Sequence, residues 1–154
     1  MYVQDSKHLI VVYIDDLLVV GTKERITHKK KEVAKIFEMH NLGEVHWFLA
    51  MEITHDQIAW MITIDQWQYV QKILEHFRLE NVQSVSTPMA VNIKLPKKET
   101  PEVDQCLYQL MLGSLVYVAI RTQPNIMFAV HYLSQFSVAP SSEHITALKH
   151  IYSH

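Results

Sequence analysis

Cysteine and glycine are scarce in this chain. Its 154 residues include one cysteine, Cys106, so no disulfide can form within the chain, and a reducing compartment is the simpler interpretation. Only three glycines are present, and none lies in a glycine-rich loop that could cradle a phosphate. The composition therefore argues against a disulfide-stapled fold and against nucleotide binding of the P-loop or Rossmann kind.

Long hydrophobic runs and metal-binding motifs are also missing. The longest apolar run, from Leu9 to Val20, is interrupted by two acids and is too short to span a bilayer. Ten histidines are present, but none forms an H-E-x-x-H motif or a Cys/His cluster of recognised spacing, so no zinc site is predicted. Hydrophobic residues make up 49% of the chain, enough for a real core in one domain or two small ones.

An excess of positive charge is absent as well, because the formal net charge is −2. The lysines form two clusters instead, Lys29–Lys31 with Lys35, and Lys94 with Lys97 and Lys98. Each cluster is either a solvated face, which we favour, or a contact with phosphate groups of nucleic acid.

Two adjacent carboxylates, Asp15 and Asp16, stand inside the apolar run. The pattern predicts a β-hairpin with strands Leu9–Ile14 and Leu17–Val20 and with the Asp pair at its turn. Adjacent anions repel each other and lose hydration on burial, so folding alone gives no reason to keep them unless a cation lies opposite. The alternative is an ordinary Asp-Asp turn between two apolar strands.

A divalent metal is the cation that such a pair would hold. Mg²⁺ (or Mn²⁺) prefers carboxylate oxygens, and nucleotidyl transfer uses two such ions roughly 4 Å apart. Successive strand side chains point to opposite faces, so the two acids cannot play equal parts. We expect Asp15 to be the direct ligand and Asp16 a weaker ligand or electrostatic support.

The surrounding residues carry a resemblance to a known family. Val11 to Thr22 read V-V-Y-I-D-D-L-L-V-V-G-T, which resembles the Y-V-D-D hairpin of reverse transcriptases, in particular those of Ty1/copia-type LTR retrotransposons. Further blocks resemble the same family in the same order, namely Phe37–Gly43, Phe48–Ile53, Gln68–Phe77, Val85–Met89, Tyr108–Tyr117 and Leu133–Phe136. Several ordered blocks across nearly the whole chain make the match specific.

The local patterns and the resemblance together predict an α+β fold. It consists of a partial polymerase palm of antiparallel β-hairpins with a packed helix, followed by helical thumb and connection segments. The expected boundaries are 1–64 for the partial palm, 65–90 for a thumb-like helical segment, 91–104 for a linker and 105–154 for a helical connection toward a missing ribonuclease H domain.

Periodicity and capping residues place the individual elements. A second hairpin is predicted from Val45 to Ile53 and Ile58 to Ile64. Thr22, Asp65 and either Ser141 or Ser142 are the expected helix caps. The predicted helices are 23–39, 66–77, 106–120, 124–136 and one from the Ser141–Ser142 cap to the end of the chain.

The resemblance implies the activity of an RNA-directed DNA polymerase, which adds deoxynucleotides to a primer 3′-OH by two-metal nucleotidyl transfer. Asp15 and Asp16 are then the catalytic residues and metal ligands, with magnesium or manganese expected only in the complete enzyme. The resemblance also implies that nucleic acid is contacted by Tyr13, Phe48, Leu49 and Ala50. The family usually has Gly at the position of Ala50, where we expect an added methyl to weaken the grip on the primer.

A two-metal site also needs a carboxylate from another strand, which the family supplies upstream together with the fingers. Only twelve residues precede Tyr13, so we expect a carboxyl-terminal part of the polymerase domain that is inactive alone. Implied partners in the intact parent are an RNA/DNA template-primer and dNTPs, with no membrane and with possible self-association through exposed apolar surface. The implied location is intracellular, in a cytoplasmic virus-like particle or the nucleus.

The alternative is a non-catalytic remnant or a domesticated interaction or nucleic-acid-binding module. It rests on departures from the family pattern at His40-Asn41, at Ala50 and at Arg121–Asn125.

Overall fold

The structure, a computed structural model, describes residues 2–5, 8–90 and 92–154. By its contacts the chain divides into two compact units, Met1–His46 and Trp47–His154. The boundary between the two units does not coincide with any of the predicted palm, thumb, linker and connection boundaries, which stay predictions. Val91, the first residue of the predicted linker, lies outside the described residues.

The first unit is a three-stranded antiparallel sheet followed by a helix. Strands β1 (Tyr2–Asp5), β2 (His8–Tyr13) and β3 (Asp16–Gly21) pair in chain order, and α1 (Lys23–Val33) packs on β3. This confirms the predicted first hairpin, with strand ends one residue from the prediction.

Both faces of the β2–β3 hairpin are apolar. Val11 lies opposite Leu18 on one face, and Ile10 lies opposite Val19 on the other. A strand pair that is apolar on both faces is typical of sheets covered on both sides. Within residues 9–46, however, every side chain is at least partly exposed.

Helix α1 is shorter than predicted. Thr22 is at its N-cap, as expected, but the helix ends at Val33 instead of reaching Met39. Ile36 and Phe37, which belonged to the predicted apolar stripe, are 76% and 63% exposed. Helices in proteins owe most of their stability to packing of the apolar face, and the last predicted turn has no such packing.

The second unit begins with another antiparallel sheet, formed by β4 (Trp47–Phe48), β5 (Met51–Asp56) and β6 (Met61–Asp65). The predicted second hairpin is confirmed, although its return strand starts at Met61 rather than at Ile58. Residues 57–60 form the loop instead, because the Asp56 carboxylate accepts hydrogen bonds from the backbone N–H groups of Ile58 and Ala59 at 2.9 and 2.8 Å.

Four helices complete this unit: α2 (Trp67–Phe77), α3 (Gln105–Arg121), α4 (Met127–Ser134) and α5 (Ser142–Tyr152). They confirm the predicted helices within one or two residues at most ends, except that Pro124–Ile126 form a separate 3₁₀ turn before α4. Ser141, rather than Ser142, is the N-cap of α5.

The hydrophobic core of the second unit lies among these helices. Tyr108, Leu133 and Leu148 are fully buried, and the Tyr108 hydroxyl donates to the Leu133 carbonyl at 2.9 Å. The predicted apolar stripe of α2 packs against this core, which confirms the predicted buried face of the helix. In the described part of the chain, every helix is too short or too polar to cross a membrane.

Candidate catalytic hairpin and primer-grip-like turn

The Asp pair lies at the tip of the β2–β3 hairpin. Tyr13 pairs with Asp16 across the strands, so the two-residue turn consists of Ile14 and Asp15. The prediction that both acids lie in the turn is wrong: Asp15 is in the turn, and Asp16 is the first residue of β3. The unequal roles of the two carboxylates stay a prediction.

Ile14 has an unusual backbone conformation for its residue type. Its φ is +50°, in the left-handed region that β-branched residues rarely adopt. A positive φ at the first turn position alone is the pattern of a type II′ turn, which normally has Gly there. Strain of this kind concentrates at functional sites, where the surrounding structure holds it in place.

The carboxylates of Asp15 and Asp16 are exposed and unpaired. Neither makes an ion pair or a hydrogen bond with another described residue. Tyr13, which lies opposite Asp16 in the hairpin, is 47% exposed, and Ile14 is 80% exposed. No positively charged side chain among the described residues pairs with either carboxylate, so the oxygens of both are available to a cation.

Two carboxylates match the ligand set that Mg²⁺ uses, since this ion is typically held by one or two carboxylates and retains waters or binds phosphates. Asp15 and Asp16 would hold it through their side-chain oxygens. Among the described residues, no group of three or more His, Cys, Asp or Glu side chains could hold a metal ion.

The predicted nucleic-acid-contacting residues Phe48, Leu49 and Ala50 form the β4–β5 turn in the second unit. Phe48 pairs with Met51, so Leu49 and Ala50 are the two turn residues, with φ of +51° and +55°. Positive φ at both positions is the pattern of a type I′ turn, which favours Asn and Gly. Phe48 and Leu49 are half-buried and Ala50 is exposed.

The Tyr117 hydroxyl of α3 donates a hydrogen bond to the carbonyl of Leu49. This contact anchors the β4–β5 turn to the helical part of the same unit.

A family model described as "Reverse transcriptase (RNA-dependent DNA polymerase)" matches residues 1–91, which is more than half of the chain. The chain belongs to the reverse transcriptase family. The match includes the Asp15–Asp16 hairpin of the first unit and the Phe48–Ala50 turn of the second unit.

Curated relatives place this reverse transcriptase chain among Ty1/copia-type elements. It is 33% identical over 151 residues to the retrovirus-related Pol polyprotein from transposon TNT 1-94 of Nicotiana tabacum, covering 93% of the chain and 11% of that protein. It is 33% identical over 144 residues to the Pol polyprotein from transposon RE1 of Arabidopsis thaliana, covering 92% and 10%.

A third relative is the putative transposon Ty5-1 protein YCL074W of Saccharomyces cerevisiae, at 29% identity over 96% of the chain and 48% of that protein. The reverse transcriptase chain therefore spans about a tenth of the two plant polyproteins. No solved structure matches the chain.

The lysine clusters of this reverse transcriptase chain make local contacts. The Lys29 ammonium pairs with Glu32 at 2.7 Å, Lys30 donates to the Asn41 side chain at 2.8 Å, and Lys98 pairs with Glu102 at 2.9 Å. The hydrogen bond and charge of Lys29 lower the pKa of Glu32. These contacts favour the interpretation of both clusters as solvated faces.

Sequence reasoning missed two residues around the β4–β5 turn. In the sequence, Tyr117 is only the last residue of the Tyr108–Tyr117 block, and no sequence pattern predicts its hydrogen bond to Leu49. Gln66, which is 3% exposed, accepts a hydrogen bond from the Thr122 hydroxyl at 2.8 Å. A buried glutamine beside an expected capping position has no distinctive sequence pattern, so its role cannot be predicted from the sequence.

Proposed function

We propose that this chain forms part of the RNA-directed DNA polymerase of a Ty1/copia-type retrotransposon and takes part in two-metal nucleotidyl transfer in the intact parent. The observation that carries the proposal is the pair of exposed, unpaired carboxylates, Asp15 and Asp16, at a hairpin tip inside the family-matched region. Nothing in the comparisons favours the alternative of a non-catalytic remnant.

Asp15 and Asp16 are the residues that would hold Mg²⁺ or Mn²⁺. A bound divalent ion in such a site polarises phosphoryl oxygens and stabilises the attacking and leaving oxygens of an in-line displacement. The hairpin contributes rigidity, because the Tyr13–Asp16 pair closes a turn only two residues long. Tyr13 lies opposite Asp16 in this hairpin and is exposed enough to contact a base or sugar at the primer end.

The Phe48–Ala50 turn is proposed to contact the primer strand. Ala50 is exposed, and the turn presents backbone groups that can approach a sugar-phosphate chain closely. The partners are then an RNA/DNA template-primer and dNTPs, as they are for reverse transcription in general.

The polymerase activity itself is proposed for the longer parent, because the relatives with Pol polyprotein names are about ten times the length of this chain. A complete two-metal centre draws carboxylates from more than one strand, and Asp15 and Asp16 come from one hairpin. The chain alone is expected to show no primer extension.

Manganese titration of the chain tests the metal site directly. Paramagnetic Mn²⁺ should selectively broaden the amide resonances of residues 13–16, and Asp15→Asn should weaken this effect at least about tenfold, since even a lost second-shell partner costs that much metal affinity. Glu38→Gln, which removes an exposed carboxylate elsewhere in the same unit, is the matched control and should change nothing at residues 13–16.

Equal broadening at Glu38 and at the hairpin tip, unchanged by Asp15→Asn, would contradict the proposed metal site. Primer extension on an RNA template provides the second arm. Incorporation by the chain alone that vanishes in Asp15→Ala would support the catalytic pair and overturn the expectation that the chain is inactive by itself.

A further inference from the structure

The geometry points to Tyr117 as a positioning residue: its hydroxyl holds the Leu49–Ala50 turn in the shape in which the turn contacts the primer strand. The contact is a hydrogen bond from the Tyr117 hydroxyl on α3 to the Leu49 backbone carbonyl. The inference rests on the proposed function, because it assigns Tyr117 a task in nucleic-acid contact.

The Leu49–Ala50 turn needs such a contact because its own residues disfavour its shape. Both residues have positive φ, at +51° and +55°, and neither is Gly or Asn. Non-glycine residues hold such conformations only where the surrounding structure over-determines them. The Tyr117 hydroxyl donates to the carbonyl of Leu49, the first turn residue, and so stabilises this conformation from outside the hairpin.

Tyr117 is itself held in place from two sides. Its ring meets the Tyr69 ring of α2 edge to face, with centroids 5.1 Å apart. The Arg121 guanidinium lies over the ring at 5.6 Å from its centroid, within the range of a cation–π contact. The hydroxyl therefore has a fixed position from which to hold the turn.

The bond from Tyr117 uses only a backbone group of the turn, so no side chain of the turn is part of it. Leu49 is half-buried, and Ala50 is exposed. A second hydrogen bond, from the hydroxyl of Thr122 at the C-cap of α3 to the Gln66 side chain at 2.8 Å, joins the end of α3 to the residue that follows β6. Helix α3 and its C-cap are thus bonded to the β4–β5 turn and beside the end of β6 in the same sheet.

Hydrogen exchange of the 154-residue chain without nucleic acid tests the structural half of the inference. Tyr117→Phe should accelerate exchange of the residue 47–56 amides about fivefold, the factor expected for one lost hydrogen bond. The control is Tyr152→Phe, which also removes a hydroxyl bonded to a backbone carbonyl of α3, that of Met111 at 2.8 Å, but at a site away from the turn. Unchanged exchange at residues 47–56 in Tyr117→Phe would overturn the inference.

Binding of a fluorescent RNA template annealed to a DNA primer tests the functional half. Tyr117→Phe should weaken binding about threefold or more, whereas Tyr152→Phe should bind like the wild type even where it lowers global stability equally. Faster exchange with unchanged affinity would overturn the positioning role. If the wild-type chain does not bind the hybrid, the proposed nucleic-acid role of the turn fails, and the exchange result still decides whether Tyr117 fixes the turn.

A rescue experiment separates positioning from general stabilisation. In an Ala50→Gly background one of the two strained positions of the turn is relieved and only Leu49 keeps a positive φ as a non-glycine residue, so Tyr117→Phe should cause a smaller loss of hybrid affinity than in the wild type. An equal loss in both backgrounds would show that Tyr117 acts otherwise than through the turn.

Discussion

At the scale of single residues, the backbone of Ala50 has a conformation that favours glycine. Ala50 has a φ of +55°, which is accessible to Gly at no steric cost but brings Cβ of any other residue close to the following carbonyl. Ala50 therefore carries local backbone strain in the β4–β5 turn.

Replacing Ala50 by Gly should therefore stabilise the chain. We expect Ala50→Gly to raise the free energy of unfolding by about 1 kcal/mol, because relief of the left-handed strain exceeds the added entropy of the unfolded chain. Urea denaturation followed by circular dichroism measures the change.

Ala59→Gly is the matched control for that measurement. Ala59 lies in the neighbouring hairpin loop, outside the set of residues with positive φ, and its N–H bonds to the Asp56 carboxylate. The added backbone freedom should lower stability by about 0.5–1 kcal/mol. Equal changes in the two variants would show that strain at Ala50 is not what the substitution relieves.

At the scale of elements, the sequence predicted best where a residue pattern and its packing coincide. Helix α2 follows its apolar stripe because Ile73 and its neighbours meet a core, whereas α1 ends early because Ile36 and Phe37 do not. The turns at Ile14 and at Leu49–Ala50 contain no glycine, so their positive φ values leave no signal in the sequence.

The start of α5 is a capping box that uses a histidine. The Ser141 N–H donates to Nδ1 of His144 at 2.8 Å, and the His144 ring stacks on Phe136 with centroids 4.0 Å apart. The ring is fully buried, and this burial lowers the pKa of His144. The Pro96 carbonyl and two carboxylates, Glu143 and Glu102, raise the pKa of His144, and the positive charge of Lys98 lowers it further.

This cap should make the stability of the chain depend on pH. The pKa of His144 is lower in the folded than in the unfolded chain, so the unfolded chain binds more protons between the two values. The contribution is complete above about pH 6.5, the ordinary histidine value, and is lost as pH falls through the lowered value. Free energies of unfolding measured from pH 8 down to pH 5 should decrease.

His144→Gln identifies the source of that decrease. Glutamine keeps an acceptor for the Ser141 N–H, as in ordinary capping boxes, but does not titrate, so the slope should flatten. His131→Gln changes an exposed histidine on α4 and should keep the wild-type slope. A slope unaffected by His144→Gln would place the pH dependence elsewhere.

At the scale of the whole molecule, exposed apolar side chains stand out. The β5–β6 hairpin has one apolar face, on which Ile53 is 8% exposed but Ile64 and Ile62 are 50% and 63% exposed. Strand β6 is also the edge of its sheet, with unpaired backbone groups. Such a face and edge favour association with another chain.

Self-association is therefore expected, and two lysine variants distinguish how it occurs. Ile62→Lys places a charge on the apolar face, and Thr63→Lys places the same charge on the opposite, polar face of the same strand. If two copies bury the apolar face, Ile62→Lys should lower the association constant about tenfold or more in sedimentation velocity, since burial of one isoleucine contributes about 1.5–3 kcal/mol. Thr63→Lys should then have little effect. Equal weakening by both variants would indicate pairing through the β6 edge instead, and a monomer at all concentrations would contradict the prediction.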